Sequence, residues 1–151
     1  RIYRAVKQEV KQDIYRVPIG KARIDSSGKD VTLVAYGAMM REAQKAAGMA
    51  KKEGVDVELI DLRSIYPLDK ETIISSVKKT GRIVSVHEAP KSFGVASEIT
   101  QLVNEGAFLH LEAPPKRVTG FDTIVPLPKG EHHYMVSAEK IFYELMRTVK
   151  F

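Results

Sequence analysis

The chain has 151 residues, 44% of them apolar, and a formal charge of +5. This is enough apolar material for one compact domain without metals or disulfides. The absence of cysteine excludes a disulfide framework, a thiolate zinc site and a thiol nucleophile. The apolar runs are far shorter than the roughly 20 residues that span a membrane, and no apolar segment follows Arg1 as in a signal peptide.

The positive charge is concentrated at the amino terminus. Residues 1–23 contain seven basic and two acidic side chains, so the rest of the chain is neutral. A basic segment can bind phosphates, but the aromatic residues are scattered and do not interleave with basic ones as on a nucleic-acid platform. We therefore expect no nucleic-acid partner. We interpret residues 1–20 as a solvated connector that leads into a domain of residues 21–151.

The first part of that domain alternates strands and helices. Strand-like runs at residues 22–25 and 31–36 are separated by the polar turn SSGK, which predicts an antiparallel start. Apolar residues at helical spacing predict a helix over residues 40–53, which Gly54 can end. Residues 55–62 alternate less than an exposed strand would, which is typical of a strand covered on both faces.

The next helix has cap residues at both ends. Asp69 is a suitable N-cap, and Leu68 and Ile73 occupy the two places of a hydrophobic staple. Gly81 can adopt the left-handed conformation that ends a helix. Residues 82–87 then predict a buried strand, since they are mostly apolar.

Two further helices and one strand follow. Ser92 is a candidate cap for a helix that ends at Gly106, and residues 116–119 predict a short strand. The last helix begins at Ser137. Strands that alternate with helices predict an α/β fold with a mostly parallel sheet and right-handed crossovers. The helix positions expected to be buried are Val95, Ile99, Leu102 and Val103, and then Ile141, Leu145 and Val149.

Charged residues cluster where the parallel strands end. Ligands of such sheets usually bind beyond the carboxyl ends of the strands, and Asp61, Arg63, His87, Glu88 and Asp122 fall there. Two of them could form an acid and base pair. His87 and Glu88 are adjacent, however, so on a strand they point to opposite sides. A structural ion pair or a capping role is the favoured interpretation of these residues.

The familiar catalytic motifs are missing from the sequence. His132 and His133 are neighbours, which does not give the i, i+4 presentation of a helical metal site, and His110 lies far from both. There is no G-x-S-x-G elbow and no glycine-rich phosphate loop. The sequence therefore predicts a scaffold with no catalytic, cofactor-binding or metal-binding residue of its own.

Three motifs resemble a known enzyme family. They read DLRSIYPLD at residues 61–69, KTGRIVSVHEAP at residues 79–90 and RVTGFDT at residues 117–123. These runs are similar to those of the transketolase-like carboxyl-terminal domain in the beta subunit of 2-oxo acid dehydrogenases of the pyruvate and branched-chain type. The resemblance covers essentially the whole chain. It implies a three-layer α/β/α sandwich of about five strands with one antiparallel edge strand, and a connector from an amino-terminal domain that this chain lacks.

The resemblance also implies an assembly role. The parent enzymes oxidatively decarboxylate a 2-oxo acid and acylate lipoyl groups, and they use thiamine diphosphate and magnesium bound outside this domain. The implied partners are a second beta subunit, the alpha subunit of a heterotetramer, and the subunit-binding domain of the dihydrolipoyl acyltransferase. The implied location is the cytoplasm, or the mitochondrial matrix in a eukaryote. The fragment alone is expected to be inactive.

One docking position can be carried over from that family. In related beta subunits, an acidic residue just before an Ala-Pro pair and the terminal carboxylate contact the basic subunit-binding domain. The matching residues here are Glu112 and Phe151. A carboxylate presented to Arg or Lys makes a charge-assisted contact that steers association. Lys116 and Arg117 lie close in sequence and would weaken that attraction.

An alternative from a different functional class remains open on the sequence. A free-standing α/β module could bind a small anion at the strand ends that carry Arg63, His87 and Asp122. The two interpretations differ in whether an in-frame domain precedes this segment in the gene.

Overall fold

The computed structural model describes residue 7, residues 9–126 and residues 129–151. Five strands form a single sheet in the order β1-β3-β2-β4-β5. The strands are β1 (Arg23–Ser26), β2 (Val31–Ala35), β3 (Val57–Asp61), β4 (Ile83–Pro90) and β5 (Lys116–Gly120). The helices are α1 (Met39–Lys52), α2 (Lys70–Thr80), α3 (Val95–Ala107), α4 (Glu131–Tyr134) and α5 (Ala138–Val149), with a 3-10 turn at Phe108–His110.

The sheet is mostly parallel with one antiparallel edge strand, as expected. β3, β2, β4 and β5 run in one direction, and β1 runs against β3. The polar turn after β1 does not make a hairpin with β2, because β3 lies between the two strands. All five residues of β2 are buried, whereas β1 is largely exposed. Burial of apolar surface therefore favours β2 in the middle of the sheet and β1 at its edge.

Helices cover both faces of the sheet, which confirms the three-layer α/β/α sandwich. α1 and α5 pack on one face, where Ala43, Ala46 and Ala50 are fully buried and let α1 lie close to the strands. α2 and α3 pack on the other face, around Ile73 and Ile99. Each fully buried Leu or Ile contributes about 1.5 to 3 kcal/mol relative to exposure, so the two apolar clusters stabilise the layers.

The helix ends agree with the sequence where the signals are local. The Asp69 side chain accepts a hydrogen bond from the Thr72 amide at 3.4 Å and so caps α2. Gly81 ends the same helix with a φ of 66°. Ser137 caps α5 in the same way and accepts from the Lys140 amide at 3.4 Å.

The predicted limits of α3 are wrong at both ends. The helix is preceded by Gly94, and Ser92 instead donates from its amide and its hydroxyl to Asp122. Gly106 lies inside the last turn, where an added Cβ would approach Ile74 Cδ1 to 2.6 Å. Gly106 therefore packs against Ile74 of α2, and it does not terminate the helix.

The predicted connector is described at residue 7 and from residue 9 onward. Residues 9–18 form no helix or strand and are exposed. Arg1 and Arg4, which contribute to the basic charge, fall outside the described residues. Within the described residues, no helix has the length and apolarity to cross a membrane.

Candidate functional site

The parallel strands give the domain two functional ends. The carboxyl end comprises the last residues of β2, β3, β4 and β5 and the loops that follow them. The predicted strand between residues 82 and 87 extends to Pro90, so His87 and Glu88 lie within β4 and not after it. The amino end comprises the turns that precede those strands, together with residues 108–115 and 150–151. We describe the residues of the carboxyl end first and those of the amino end second.

Asp61 and Arg63 form a local pair after β3. The Arg63 amide donates to Asp61 Oδ1 at 3.2 Å, and Arg63 Nε lies 3.9 Å from Asp61 Oδ2. Arg63 has a φ of 55°, in the left-handed region. Its guanidinium is therefore already balanced by a carboxylate two residues away.

His87 is buried beneath this end of the sheet. Its Nδ1 lies 3.1 Å from the Ala89 carbonyl and donates to it, while Nε2 has no partner among the described residues. An added Cβ on Gly94 would come within 2.6 Å of Nε2, so the loop covers the ring. Burial, and then the nearby Arg117 charge, lower the pKa of His87 against the opposing effect of the Ala89 hydrogen bond. His87 is a neutral, enclosed side chain.

Glu88 follows His87 on β4 and is half-buried. Burial and the Glu88 charge raise the pKa of Tyr36, at the end of the neighbouring strand β2. That His87 and Glu88 lie on opposite sides of the strand stays a prediction.

Asp122 has a structural task. Its two oxygens accept from the Ser92 amide at 2.9 Å and the Ser92 hydroxyl at 2.8 Å, and these bonds lower the pKa of Asp122. Asp122 follows β5 and Arg63 follows β3, and three strand spacings of about 4.8 Å put those strand ends on the order of 14 Å apart. The structure therefore does not bring Arg63, His87 and Asp122 together around one small anion.

Among the described residues, a magnesium diphosphate group would be held by carboxylates on the metal and by cations on the phosphates. Among them, no three His, Asp or Glu side chains converge to hold a metal ion. The cleft beside β5 contains Arg117 and Lys140, but both cations are used by the protein. Arg117 Nη1 donates to Ser97 Oγ at 2.7 Å, and Lys140 Nζ donates to two backbone carbonyls at 2.9 Å.

Glu112 lies at the amino end, in the segment between α3 and β5. Its side chain is 60% exposed, and Oε2 lies 2.7 Å from Arg82 Nη1. Its amide donates to the Gly81 carbonyl at 2.8 Å. Helix α5 runs back against the strand direction, so Phe151, which is exposed, lies at the same end of the sheet.

Sequence reasoning missed two features of the amino end. Phe108 and Leu109 are exposed just before Glu112, and Arg82 is the ion-pair partner of that carboxylate. The exposed pair had a signal in the sequence, because two large apolar residues follow the last buried position of α3 without continuing its periodicity. Arg82 had none, because its partner is 30 residues away.

A third missed feature is a buried carboxylate in the sheet. Glu58 on β3 is 2% exposed and pairs with Lys79 of α2. Burial alone would raise the pKa of Glu58, but hydrogen bonds from Lys79, Ser76 and the Gly28 amide outweigh it and lower the pKa. The signal was a Glu inside an otherwise apolar strand, which requires a partner.

Known proteins match both the sequence and the fold. The family described as the transketolase C-terminal domain matches residues 20–141. The chain is 52% identical over 150 residues to the pyruvate dehydrogenase E1 component subunit beta of Acholeplasma laidlawii, covering 99% of this chain and 46% of that protein. It is 48% identical over 149 residues to the mitochondrial 2-oxoisovalerate dehydrogenase subunit beta of Dictyostelium discoideum, covering 98% of this chain and 40% of that protein.

A solved structure gives the same answer. A split-gene transketolase, solved as an inactive beta4 tetramer, superimposes with a TM-score of 0.81 at 26% identity, covering 96% of this chain and 46% of that chain. The chain thus spans about half the length, or less, of the relatives that it matches. These matches confirm the resemblance seen in the three motifs, and the chain belongs to the family of transketolase C-terminal domains.

Proposed function

We propose that this chain is the carboxyl-terminal assembly domain of the beta subunit of a thiamine diphosphate-dependent 2-oxo acid dehydrogenase. The observation that carries the proposal is identity of 52% and 48%, over nearly the whole chain, to beta subunits of pyruvate and 2-oxoisovalerate dehydrogenases. The parent enzyme would oxidatively decarboxylate one of these 2-oxo acids and acylate lipoyl groups. It would work in the cytoplasm, or in the mitochondrial matrix of a eukaryote.

In this proposal the domain holds the enzyme together and leaves the chemistry to other parts. Thiamine diphosphate and magnesium would be bound elsewhere in a heterotetramer of alpha and beta subunits. The lack of a metal-binding cluster among the described residues and the internal use of Arg117 and Lys140 support this division. The isolated chain is accordingly expected to fold without binding the cofactor.

The docking partner of the amino end would be the basic subunit-binding domain of the dihydrolipoyl acyltransferase. Glu112 offers an exposed carboxylate, and Phe108, Leu109 and Phe151 add exposed apolar surface at the same end of the sheet. Arg82 holds the Glu112 carboxylate in one orientation but also competes with the partner for its charge. Charged contacts of this kind mainly set the rate and orientation of encounter.

The test is Glu112→Gln in the parent enzyme, which removes the charge without placing a cation beside Arg82. We expect binding to the acyltransferase domain to weaken by about tenfold, equivalent to about 1.4 kcal/mol. Decarboxylation by the enzyme alone should be unchanged. The loss should shrink as salt rises, because exposed charges are screened over about 8 Å at physiological ionic strength.

Glu71→Gln is the matched control, since Glu71 is 89% exposed and lies at the start of α2, at the opposite end of the sheet. It should leave docking unchanged. Equal docking by the Glu112 variant and the unaltered enzyme, or an equal loss in decarboxylation and docking, would contradict the assigned contact.

A further inference from the structure

Six large apolar side chains are exposed in the loops at the carboxyl end. They come from three different loops, after β3, β4 and β5, and Tyr66 and Ile124 are 94% and 91% exposed. Large exposed apolar patches are typical of interaction sites, and these three loops lie at one end of the sheet, where β4 and β5 are adjacent and β3 is two strands from β4. We call this group the carboxyl-end apolar surface. Its members are Ile65, Tyr66, Phe93, Phe121, Ile124 and Val125.

The loop that carries Phe93 is held in a strained conformation. Phe93 has a φ of 57° and is fully exposed, and it and Arg63 are the two non-glycine residues with positive φ in the described part of the chain. Such strain persists only where the surroundings impose it, and it clusters at functional sites. Ser92 is fixed by Asp122 on one side, and Gly94 packs against His87 on the other. The loop therefore presents the Phe93 ring outward.

The other two loops are fixed as well. The Ser64 hydroxyl donates to the Pro67 carbonyl at 2.9 Å, across the segment that presents Ile65 and Tyr66. The Tyr134 hydroxyl donates to the Phe121 carbonyl at 3.2 Å, and the two rings meet edge to face at 6.1 Å. A surface whose backbone is already ordered loses little conformational freedom when it is covered.

The chain enters the domain at this same end. Because β1 is antiparallel to β3, its first residue lies where the parallel strands finish. The Ala22 amide donates to Asp69 Oδ2 at 3.0 Å, and an added Cβ on Gly20 would lie 2.8 Å from Pro67 Cγ. Residues 9–19 thus approach beside the loop of Ile65 and Tyr66. They expose further apolar side chains, namely Val10, Ile14, Tyr15, Val17 and Ile19.

We propose that the carboxyl-end apolar surface is the docking face for the amino-terminal half of the same parent subunit. The inference rests on the proposed function, which requires such a half, and the relatives are about twice as long as this chain. The connector over residues 9–19 can reach roughly 36 Å when extended. It attaches the occupant at the edge of the surface that the occupant covers.

Tethering explains why a modest apolar contact suffices. A short flexible linker gives an effective concentration in the millimolar range, so a contact too weak for two separate molecules is occupied most of the time. The nearby charges do not call for a charged partner, since Asp61 balances Arg63 and Asp122 binds Ser92. The occupant should present an apolar face of its own.

Hydroxyl-radical footprinting tests this directly, because it labels aromatic and aliphatic side chains according to their exposure. The parent subunit and this chain are labelled under the same conditions. We expect Tyr66, Phe93 and Ile124 to be labelled in this chain and protected in the parent. Leu109, which is 92% exposed at the amino end, is the matched control and should be labelled equally in both.

A variant separates docking from folding. Phe93→Gly relieves the left-handed strain and removes the ring, so this chain should melt at a higher temperature while Tyr66 in the parent loses its protection. A purely structural role for Phe93 would not move these two readouts in opposite senses. Leu109→Gly should leave the protection of Tyr66 in the parent intact.

The outcomes are distinct. Equal labelling of Tyr66 and Phe93 in both proteins overturns the inference. So does protection that disappears on dilution of the parent, because the occupant is then a second molecule. A gene with no in-frame domain upstream overturns both the proposed function and this inference, whereas equal labelling in a parent subunit that has such a domain overturns this inference alone.

Discussion

The two ends of the sheet use their side chains differently. At the amino end, charged side chains form ion pairs within the domain: Glu58 pairs with Lys79, and Glu112 pairs with Arg82. The backbone there is tightly packed, since Gly28 lies directly against β3. At the carboxyl end, polar bonds fix the loops, and the large apolar side chains point outward.

This contrast separates residues that stabilise the domain from residues that it displays. Substitutions at Gly28 and in the Glu58–Lys79 pair, at the amino end, should change the free energy of unfolding. Substitutions in the carboxyl-end apolar surface should change association and leave stability nearly constant, except at Phe93, where the backbone is strained. The amino end also has exposed apolar residues, Phe108 and Leu109, so the difference is one of degree and can be measured.

The largest effect is expected at Gly28. An added Cβ would lie 2.3 Å from the Val57 carbonyl carbon and 2.4 Å from the Glu58 amide nitrogen, so backbone would have to move. Gly28→Ala should cost about 3 kcal/mol in urea unfolding. Gly48→Ala is the control, because nothing lies within 4 Å of its added Cβ and it should stabilise α1 by up to about 1 kcal/mol. Equal stability of the Gly28 variant and the unaltered chain would contradict the tight backbone packing assigned to the amino end.

A smaller loss is expected when Glu58 loses its partner. Lys79→Met should cost about 2 kcal/mol, less than the 3 to 5 kcal/mol of a fully buried pair, because Lys79 is 45% exposed. The folded-state pKa of Glu58 is lowered, so its contribution is present above the ordinary value of 4.5 and is lost as pH falls through the folded pKa. The variant should show a shallower loss of stability between about pH 5 and about pH 3, a window that runs from just above the ordinary value of 4.5 down through the lowered pKa.

The double variant Glu58→Gln with Lys79→Met sharpens this result. It should recover part of the lost stability, since no unpaired buried charge remains. The loss of stability in the double variant is compared with the sum of the losses in the two single variants. If the double variant loses as much as that sum or more, Glu58 and Lys79 do not act as a pair.

The carboxyl end should show a pH dependence through His87. Its folded-state pKa lies below the ordinary value of 6.5, so the unfolded chain takes up a proton first as pH falls. Stability is therefore complete above about pH 6.5 and declines below it, at up to about 1.4 kcal/mol per pH unit for this one proton. His87→Gln should flatten that part of the profile in urea melts at pH 7.5 and 5.5, values chosen roughly one unit either side of 6.5. An unchanged slope would mean that burial does not keep this ring neutral.

The smallest effects are expected where the surface and the connector are altered. Ile124→Ser, and separately removal of residues 1–18, should each change the free energy of unfolding by less than about 0.5 kcal/mol. The thermal midpoint of the remaining domain tests both. A loss of cooperativity after truncation would show that the connector packs on this chain by itself, and the contrast between the two ends would then need revision.

Local signals in the sequence located much of the fold. The α2 helix was predicted closely, because Asp69, the staple residues and Gly81 act within one turn of the helix ends. The strands were found because apolar runs bounded by turns are readable over five to eight residues. The family motifs then identified the domain, and the matches confirmed it.

Contacts between residues far apart in the sequence could not be predicted, because the signals in the sequence act only over a few neighbouring residues. The position of β1 in the sheet depends on which strands occupy the buried centre, and β3 lies between β1 and β2. The four polar residues of the turn after β1 do not indicate that order. Ser92 looked like a helix cap, but Asp122, 30 residues later, takes both of its donors. Of the candidate site residues, Asp61, Arg63 and Asp122 lie at or just after strand ends, whereas His87 and Glu88 lie within β4, which extends to Pro90.

The sequence by itself determined the α/β class, the caps of α2 and α5, and the family. The caps follow from interactions among residues within a few positions of one another, and the family follows from three short motifs. Only the tertiary structure decided that Phe93 is held outward in a left-handed conformation, that Glu112 is already bound by Arg82, and that the connector enters at the carboxyl end. Each of these depends on residues brought together by the order of the strands, because local propensity is overridden where packing fixes a loop from both sides.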